Sequence, residues 1–403
     1  MQSRLSGFSP ARLGSPLGKG GLPSGWTANR KIARRACGVS CALLLVFLLV
    51  PGGAPRPVMA QAPDRLVLAF YYNWFDENSW ATNRVPDQPA ESYVSRDRGA
   101  MARHIEQAKA AGIDAFVVSW YGPQTENNQT ETNFRAMLDE AAARGFRLAL
   151  DLEVTSPFIH SAQDVQNALG ALLATHAQHP AYLRAGGRPV IFFWRQQRFD
   201  TGTWAAIRAA VDPNHESLWL EEGVDLASLA VFDGHHLYSV TWNPPTDLTY
   251  TAAKFARRVR DTSARLGTPK VYVATVMPGY DDTKTGRRNS FAASREGGAY
   301  YERSWQAAIA SAPDWIVITS FNEWPEGTYI EPSQTSGSRY LELTGTWSAV
   351  FRGSAPPPPI PPRQPQQKPS ARAAPKTDPP PARAPEAPMH RPLRACLAEG
   401  RCP

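Results

Sequence analysis

A single-domain (β/α)8 barrel over residues 63–354, followed by a disordered proline-rich tail, is the fold that this 403-residue sequence predicts. Three observations carry it: short apolar or β-branched runs recur eight times, helical spacings separate most of them, and within the runs apolar residues follow one another directly. Arg65–Tyr71 is the first run and breaks at Asn73. Asp97 to Ala111 then places Met101, Ile105 and Ala108 at helical spacing and closes at Gly112, ahead of the second run, Asp114–Ser119. Asn133–Ala143 repeats the pattern with Phe134, Met137, Leu138 and Ala141, ends at Gly145 and feeds Phe146–Leu152. Pro189–Trp194, Ser217–Leu220, Gly234–Val240, Val271–Val276 and Trp315–Ser320 complete the strands, with helices expected near 162–177, 202–211, 250–266 and 298–311. Near-continuous apolar strands joined by helices belong to a parallel sheet covered on both faces, and eight repeats over roughly 290 residues suit a closed barrel. A doubly wound open sheet is the competing architecture. No G-x-G-x-x-G follows the first strand and no G-x-x-x-x-G-K-[ST] occurs, so nucleotide binding has no support.

Charge divides the chain in the same way. The net charge is +7, yet the first 62 residues hold eight basic and no acidic side chains, and the last 49 hold eight basic and three acidic. The middle is therefore left with −6, which argues against a nucleic-acid partner there. All four cysteines, Cys37, Cys41, Cys396 and Cys402, fall in the flanks, which removes thiolate metal sites and a disulfide framework from the barrel.

The flanks read as address and tether. Arg30, Lys31, Arg34 and Arg35 precede the apolar stretch Val39 to Val50, followed by Pro51-Gly52-Gly53 and Val58-Met59-Ala60-Gln61-Ala62. Residues 1–62 therefore read as a secretory signal cleaved after Ala60 or Ala62, placing the protein outside the cytoplasm, secreted or periplasmic. About a dozen apolar residues is short for a stable membrane span, although an uncleaved anchor is the alternative. From Ala355 onward 16 of 49 residues are proline, with little to bury, so 355–403 reads as an extended tail able to contact a cell wall.

In a barrel the chemistry lies at the carboxyl ends of the strands. Those ends hold Tyr71, Tyr72, Asn73 and Trp74; Trp120 and Tyr121; Asp151 and Glu153; Trp194; Glu221 and Glu222; Tyr238 and Trp242; Tyr280, Asp281 and Asp282; and Glu323, Trp324 and Glu326. Aromatic faces stack on sugar C–H surfaces while carboxylates bond hydroxyls, so the mixture points to an oligosaccharide or polysaccharide ligand. Trp204, Trp305 and Trp347, in helix-like or terminal segments, are assigned to packing. The densest signal is Ser320-Phe321-Asn322-Glu323-Trp324-Pro325-Glu326-Gly327-Thr328-Tyr329-Ile330-Glu331. Two carboxylates three residues apart in a turn can face one side roughly 5–6 Å apart. That separation suits a retaining glycosidase pair, in which close like charges raise one pKa and leave one acid and one base. A glutamate-capped helix start is the plain alternative.

The stretch from Phe321 to Pro332, with Asn-Glu-Trp-x-Glu-Gly-Thr and then Ile-Glu-Pro, resembles the signature of glycoside hydrolase family 99, the endo-α-mannosidase family, and its relatives in the broader family 71/99-like group. Supporting stretches are Tyr71-Tyr72-x-Trp74, Gly112-Ile113-Asp114 through Ser119-Trp120-Tyr121-Gly122, His179-Pro180-Ala181-Tyr182, Pro278-Gly279-Tyr280-Asp281-Asp282 and Gly298-x-Tyr300-Tyr301. The resemblance implies a (β/α)8 barrel and retaining, endo-acting hydrolysis of an α-linked glycan without a metal or other cofactor. It gives Glu323 the part of the base that deprotonates the substrate's 2-hydroxyl, and Glu326 that of the acid and later base. Tyr71 and Tyr280 would line the subsite of cleavage, with Trp120, Asn322, Trp324 and Asp151 as further substrate contacts.

Two departures from the family pattern stand out. Pro325 occupies the place where members commonly carry His, and the segment after the third strand is reduced to Asp151-Leu152-Glu153-Val154-Thr155-Ser156. Both put the sugar identity in question more than the carboxylate pair. A barrel of the cell envelope that binds carbohydrate without cutting it is the alternative function. His235-His236 alternate sides of a strand and cannot share a metal. Asn128-Gln129-Thr130 is a glycosylation sequon, and Arg287, Arg288 and Arg295 read either as substrate contacts or as a solvated loop.

Overall fold

The computed structural model describes residues 65–358. The expected export segment and all but the first residues of the proline-rich tail lie outside the described residues. Eight parallel strands form the barrel: β1 (Val67–Tyr71), β2 (Ala115–Trp120), β3 (Arg147–Glu153), β4 (Arg188–Trp194), β5 (Leu218–Glu222), β6 (Gly234–His236), β7 (Val271–Val276) and β8 (Trp315–Ile318). Each pairs with the next, and β8 closes on β1 with Ile316 opposite Val67 and Ile318 opposite Ala69. The intervening helices are α1 (Arg98–Ala110), α2 (Gln129–Ala143), α3 (Ala162–Ala174), α4 (Thr201–Val211), α5 (Leu248–Leu266) and α6 (Ala299–Ala310), with α7 (Arg339–Phe351) after β8. Between β5 and β6 a single 3-10 turn, Ala227–Ala230, stands where a helix would.

Alternation along each strand separates two cores. Leu68, Phe70, Ala115, Val117, Ala149, Val190, Phe192, Leu220, Val273 and Val317 fill the barrel. Val67, Ala69, Phe116, Val118, Leu148, Leu150, Ile191, Phe193, Trp219, Ala274 and Ile316 face the helices. Gly234 is dictated by this crowding, since a Cβ there would stand 2.4 Å from Leu220 Cδ2 and 2.6 Å from the Val271 carbonyl. His235 and His236 split as strand geometry requires. His235 faces out and stacks on Phe255 at 5.5 Å and 7°, whereas His236 sits inside, 5.5 Å from Phe70 and 5.0 Å from Phe192.

Three boundaries differ from the sequence expectation. Strand β6 ends at His236 and not Val240, because the carbonyls of Leu237 and Tyr238 accept from the hydroxyls of Thr275 and Thr319 instead of a neighbouring strand. Helix α2 starts at Gln129 rather than Asn133, capped by the Asn128 side chain, which accepts from the Thr130 N–H and donates to the Gly122 carbonyl. Asn128 is thus buried in its own cap, so the sequon is not presented. Helix α7 was not expected beyond its Trp347. Trp204, Trp305 and Trp347 are all packed in the core, as the sequence implied.

Glu221 faces outward from β5, fully buried, and neither of its carboxyl oxygens has a hydrogen-bond partner among the described residues. Burial, assisted by the negative charge of Asp225, pushes its pKa up to about 9. The folded chain thus keeps a proton that the unfolded chain releases near 4.5, so stability falls as pH rises through that window. Glu221→Gln should raise the unfolding midpoint over the unaltered chain by an amount negligible near pH 4 and largest near pH 9, as read by urea denaturation across the range. Equal midpoints at alkaline pH would show that the barrel accommodates the charge.

Candidate active site

The segment leaving β8 folds back on itself, and its hydrogen bonds explain its residue types. Ser320 Oγ accepts from the Glu323 N–H at 2.7 Å, and the Ser320 N–H and Ile330 N–H bond the carbonyls of Thr328 and Ser320 at 2.8 and 3.0 Å. Trp324–Gly327 is a β-turn closed by the Gly327 N–H on the Trp324 carbonyl at 3.0 Å. Pro325 occupies its second position, which the fixed proline φ favours, and Glu326 its third. Gly327 has φ +63, and a Cβ there would stand 3.0 Å from the backbone N of Asp281. Asp281 N–H donates in turn to the Glu326 carbonyl at 2.8 Å, tying the turn to the segment after β7. Arg295 clamps it from the same side, donating to the carbonyls of Gly327 and Tyr329 at 2.9 and 2.8 Å while stacking over the Tyr329 and Tyr340 rings.

From the opposite side the turn is anchored by a buried carboxylate. Glu331 Oε2 accepts from Trp324 Nε1 at 2.9 Å and from the Tyr93 hydroxyl at 3.0 Å, and Glu331 Oε1 lies 3.0 Å from His104 Nε2 on α1. The other ring nitrogen of His104 is 3.0 Å from the Tyr71 hydroxyl. Asn322 accepts from the Tyr72 N–H at 2.7 Å and donates to the Tyr72 carbonyl at 2.9 Å, filling the ladder positions that β1 leaves open. Trp324 stacks on Tyr329 with centroids 3.8 Å apart.

Glu326 projects into a cavity of about 720 Å³ over the carboxyl ends of the strands. Its Oε2 accepts from the Tyr238 hydroxyl at 3.1 Å, and that phenol accepts from the Tyr72 hydroxyl at 2.7 Å. Its Oε1 lies 2.8 Å from Arg287 Nη1, which also reaches Asp282 Oδ2 and the Tyr280 hydroxyl, each at 3.2 Å. Tyr280 stacks on Phe291 at 4.7 Å; burial first, then the charges of Glu326 and Asp282, hold its phenol well above the usual range. Glu153 lines the same cavity, its Oε1 accepting from Ser119 at 2.7 Å, with Trp194 and Trp242 as aromatic walls. Among the described residues no group of His, Cys, Asp and Glu is arranged to hold a metal ion, and no helix is long and apolar enough to cross a membrane.

Carboxylates between two tryptophans in a cleft above a closed barrel suit the binding and cleavage of a sugar chain. The sequence profile of glycosyl hydrolase family 99 matches residues 76–349. The chain belongs to glycosyl hydrolase family 99. It is similar to the glycoprotein endo-alpha-1,2-mannosidase-like protein of Mus musculus, 28% identical over 296 residues that cover 64% of this chain and 63% of that protein. It is also similar to the glycoprotein endo-alpha-1,2-mannosidase of Xenopus laevis, 27% identical over 294 residues, 64% of each. The chain thus matches less than two thirds of the length of these curated relatives. The solved family 99 endo-alpha-mannosidase of Bacteroides thetaiotaomicron in complex with BIS-TRIS-propane aligns with a TM-score of 0.63 at 27% identity, over 72% of this chain and 98% of that one.

Against this family 99 frame, the site residues read from sequence divide into two groups. Glu326 and Tyr280 line the cavity. Glu323 immediately precedes the turn that carries Glu326 and is 3% exposed. Tyr71 and Trp120 are corrections: each falls in the outward phase of its strand, with Ala69 and with Val118, and faces the helices, Tyr71 bonded to His104 and Trp120 donating to Glu131 at 2.7 Å, so neither meets the cleft. Their neighbours Tyr72 and Tyr121 point inward, Tyr121 lining the cavity and Tyr72 buried behind Tyr238. Asn322 and Trp324 are fully buried and brace the turn instead of contacting a ligand. Asp151 is buried beside inward-facing Phe192, one inward position below Glu153, which lines the cavity in its stead. Of the three arginines, Arg287 contacts a carboxylate in the cavity wall and Arg295 a backbone, while Arg288 is exposed in the loop between them. The sequence reading named Glu153, Trp194, Tyr238 and Trp242 among the strand-end residues but gave none of them a site role, although counting phase from Phe192 selects Trp194.

Glu331→Gln removes the charge that His104, Tyr93 and Trp324 share. The expected cost is roughly 2–4 kcal/mol of folding stability, as for one side of a buried charged network. Urea denaturation reads it, with Glu77→Gln at an exposed ion pair as the control that leaves the midpoint in place.

Proposed function

We propose that this chain is an exported, retaining glycoside hydrolase that cuts α-linked, manno-type glycans with the substrate's own 2-hydroxyl as nucleophile. The observation that carries this reading is Glu326, presented by a rigid turn into an aromatic-walled cavity with a second glutamate three residues before it. The names of the family 99 relatives, endo-alpha-mannosidases, supply the substrate class.

In the proposed sequence Glu323 takes the proton of the 2-hydroxyl, and O2 attacks the adjacent anomeric carbon as the glycosidic C–O bond breaks. Glu326 hands its proton to the departing oxygen, so the pair of electrons from the broken bond leaves on a neutral alcohol. Water then opens the resulting 1,2-anhydro sugar at the anomeric carbon. Glu326 accepts the water proton and Glu323 returns its own to O2, which restores both residues and the original configuration. Trp194 and Trp242 supply stacking surfaces, and Tyr238 and Arg287 fix the Glu326 carboxylate. The basic and apolar segment ahead of residue 63 supports delivery outside the cytoplasm, and the proline-rich tail supports contact with a cell wall.

Glu326→Gln and Glu323→Gln should each lower kcat on α-mannan oligosaccharides by about 10³-fold or more while binding stays within a few-fold. Proton NMR of the first product should show the α-anomer. Turnover lost in Glu153→Gln but kept in Glu323→Gln would reassign the pair, and binding without product release from the unaltered protein would make the chain a carbohydrate-binding barrel.

A further inference from the structure

Arg287 is oversubscribed. Each terminal nitrogen of a guanidinium carries two hydrogens. Three oxygens nevertheless lie within reach of Arg287 Nη1: Glu326 Oε1 at 2.8 Å, and Asp282 Oδ2 and the Tyr280 hydroxyl at 3.2 Å each. One nitrogen cannot serve all three at once, and two of them belong to carboxylates that compete for the same positive charge.

The acceptors are held, and the arginine is the member able to move. Asp282 Oδ1 accepts from the Phe291 N–H at 2.8 Å, the Tyr280 ring stacks on Phe291, and Glu326 Oε2 accepts from the Tyr238 hydroxyl at 3.1 Å. Side-chain exposure is 4% for Asp282 and 6% for Glu326 but 28% for Arg287, which follows Gly286 in the loop between β7 and α6. The other charged groups facing this cavity are Glu153 from β3 and Arg195 after β4. The proposed reaction begins with a proton on Glu326, whereas a guanidinium in contact with a carboxyl group favours its charged form. The departing oxygen must also come within hydrogen-bond reach of that carboxyl. Tyr238 already occupies Oε2, so the oxygen left for it is Oε1, against which Arg287 rests.

We infer that Arg287 is a two-position counter-ion, a positioning residue that rests on Glu326 in the empty cavity and passes wholly to Asp282 when the glycan enters. The inference rests on the proposed glycan-cleaving function and deepens it. With Arg287 gone from Oε1, Glu326 takes a proton from solvent, delivers it to the departing oxygen and recovers one from the attacking water. When product leaves, Arg287 returns and that proton goes back to solvent. The glycan drives the exchange because its contact with Oε1 exists only in the second position. The acid is thereby loaded only in an occupied site.

The experiment uses the full chain labelled with carbon-13 at its glutamate carboxyls, the Glu326 signal being identified by its loss in Glu326→Gln. Titrated by NMR without sugar, that signal is expected to take up its proton at a pH about one unit higher in Arg287→Gln than in the unaltered chain. A sulfur-linked, uncleavable α-manno-oligosaccharide should move the signal of the unaltered chain in the same direction. Profiles of rate against pH add a kinetic arm. In Arg287→Gln the alkaline limb of kcat/KM, which reports the free enzyme, should move up by about one unit, while that of kcat, which reports the complex, stays in place. Asp282→Asn, which leaves Arg287 no second carboxylate, should lower kcat about tenfold. A signal unmoved by either the substitution or the sugar, or two limbs that move together, overturns the exchange, since a fixed brace would lower rates without displacing one limb alone. Circular dichroism of each variant guards against misfolding. Absence of product release sinks the hydrolase reading alone, because the NMR titration with the uncleavable sugar decides the exchange without turnover.

Discussion

The buried carboxylate of Glu331 is the constraint on which the site depends. It takes hydrogen bonds from Trp324 and Tyr93 and faces His104, so two side chains from far earlier in the sequence meet the indole of its own segment on two oxygen atoms. A charge kept from water is tolerated only where its acceptor positions are filled, and that requirement fixes the indole of Trp324, the residue that follows Glu323 and opens the turn. The signature around Asn322 to Glu331 is therefore mostly scaffold. Glu326 lines the cavity and Glu323 stands three residues before it, while most of the others bring the turn to β1, to α1 and to the segment after β7.

The same economy appears around the barrel. Inward positions below the carboxyl ends are filled with Leu, Val, Phe and a glycine that admits no side chain, which gives the cleft a solid floor. Polar groups enter at the level of Phe192 with Ser119, Asp151 and His236 and continue above it with Glu153 and Tyr238. Trp194 and Trp242 then rise around that layer, and the depression continues across Arg195 toward β5.

Strand order, most helix positions and the turn after β8 were legible in the sequence because apolar periodicity and glycine punctuation report directly on burial. The side from which each aromatic is presented was harder to read. Tyr71 and Tyr72, or Trp120 and Tyr121, are chemically similar neighbours, and a one-residue choice sends the ring to opposite faces. Hydrogen-bond partners decide those cases: His104 waits for Tyr71 and Glu131 for Trp120, and neither partner lies nearby in sequence. Helix α7 escaped notice because its buried residues, Tyr340, Leu341, Thr344, Trp347 and Phe351, are interleaved with Thr, Gly and Ser that blur the helical spacing.

The row from Tyr72 through Tyr238 to Glu326 has a direction. Each phenol owns one hydrogen, and each spends it toward the carboxylate. Removing the distal ring oxygen therefore strips Tyr238 of an incoming bond but leaves its outgoing one, whereas removing the proximal oxygen breaks both links together. The two tyrosines are unequal members of a one-way chain, and evolutionary drift should be freer at the far end than at the near one.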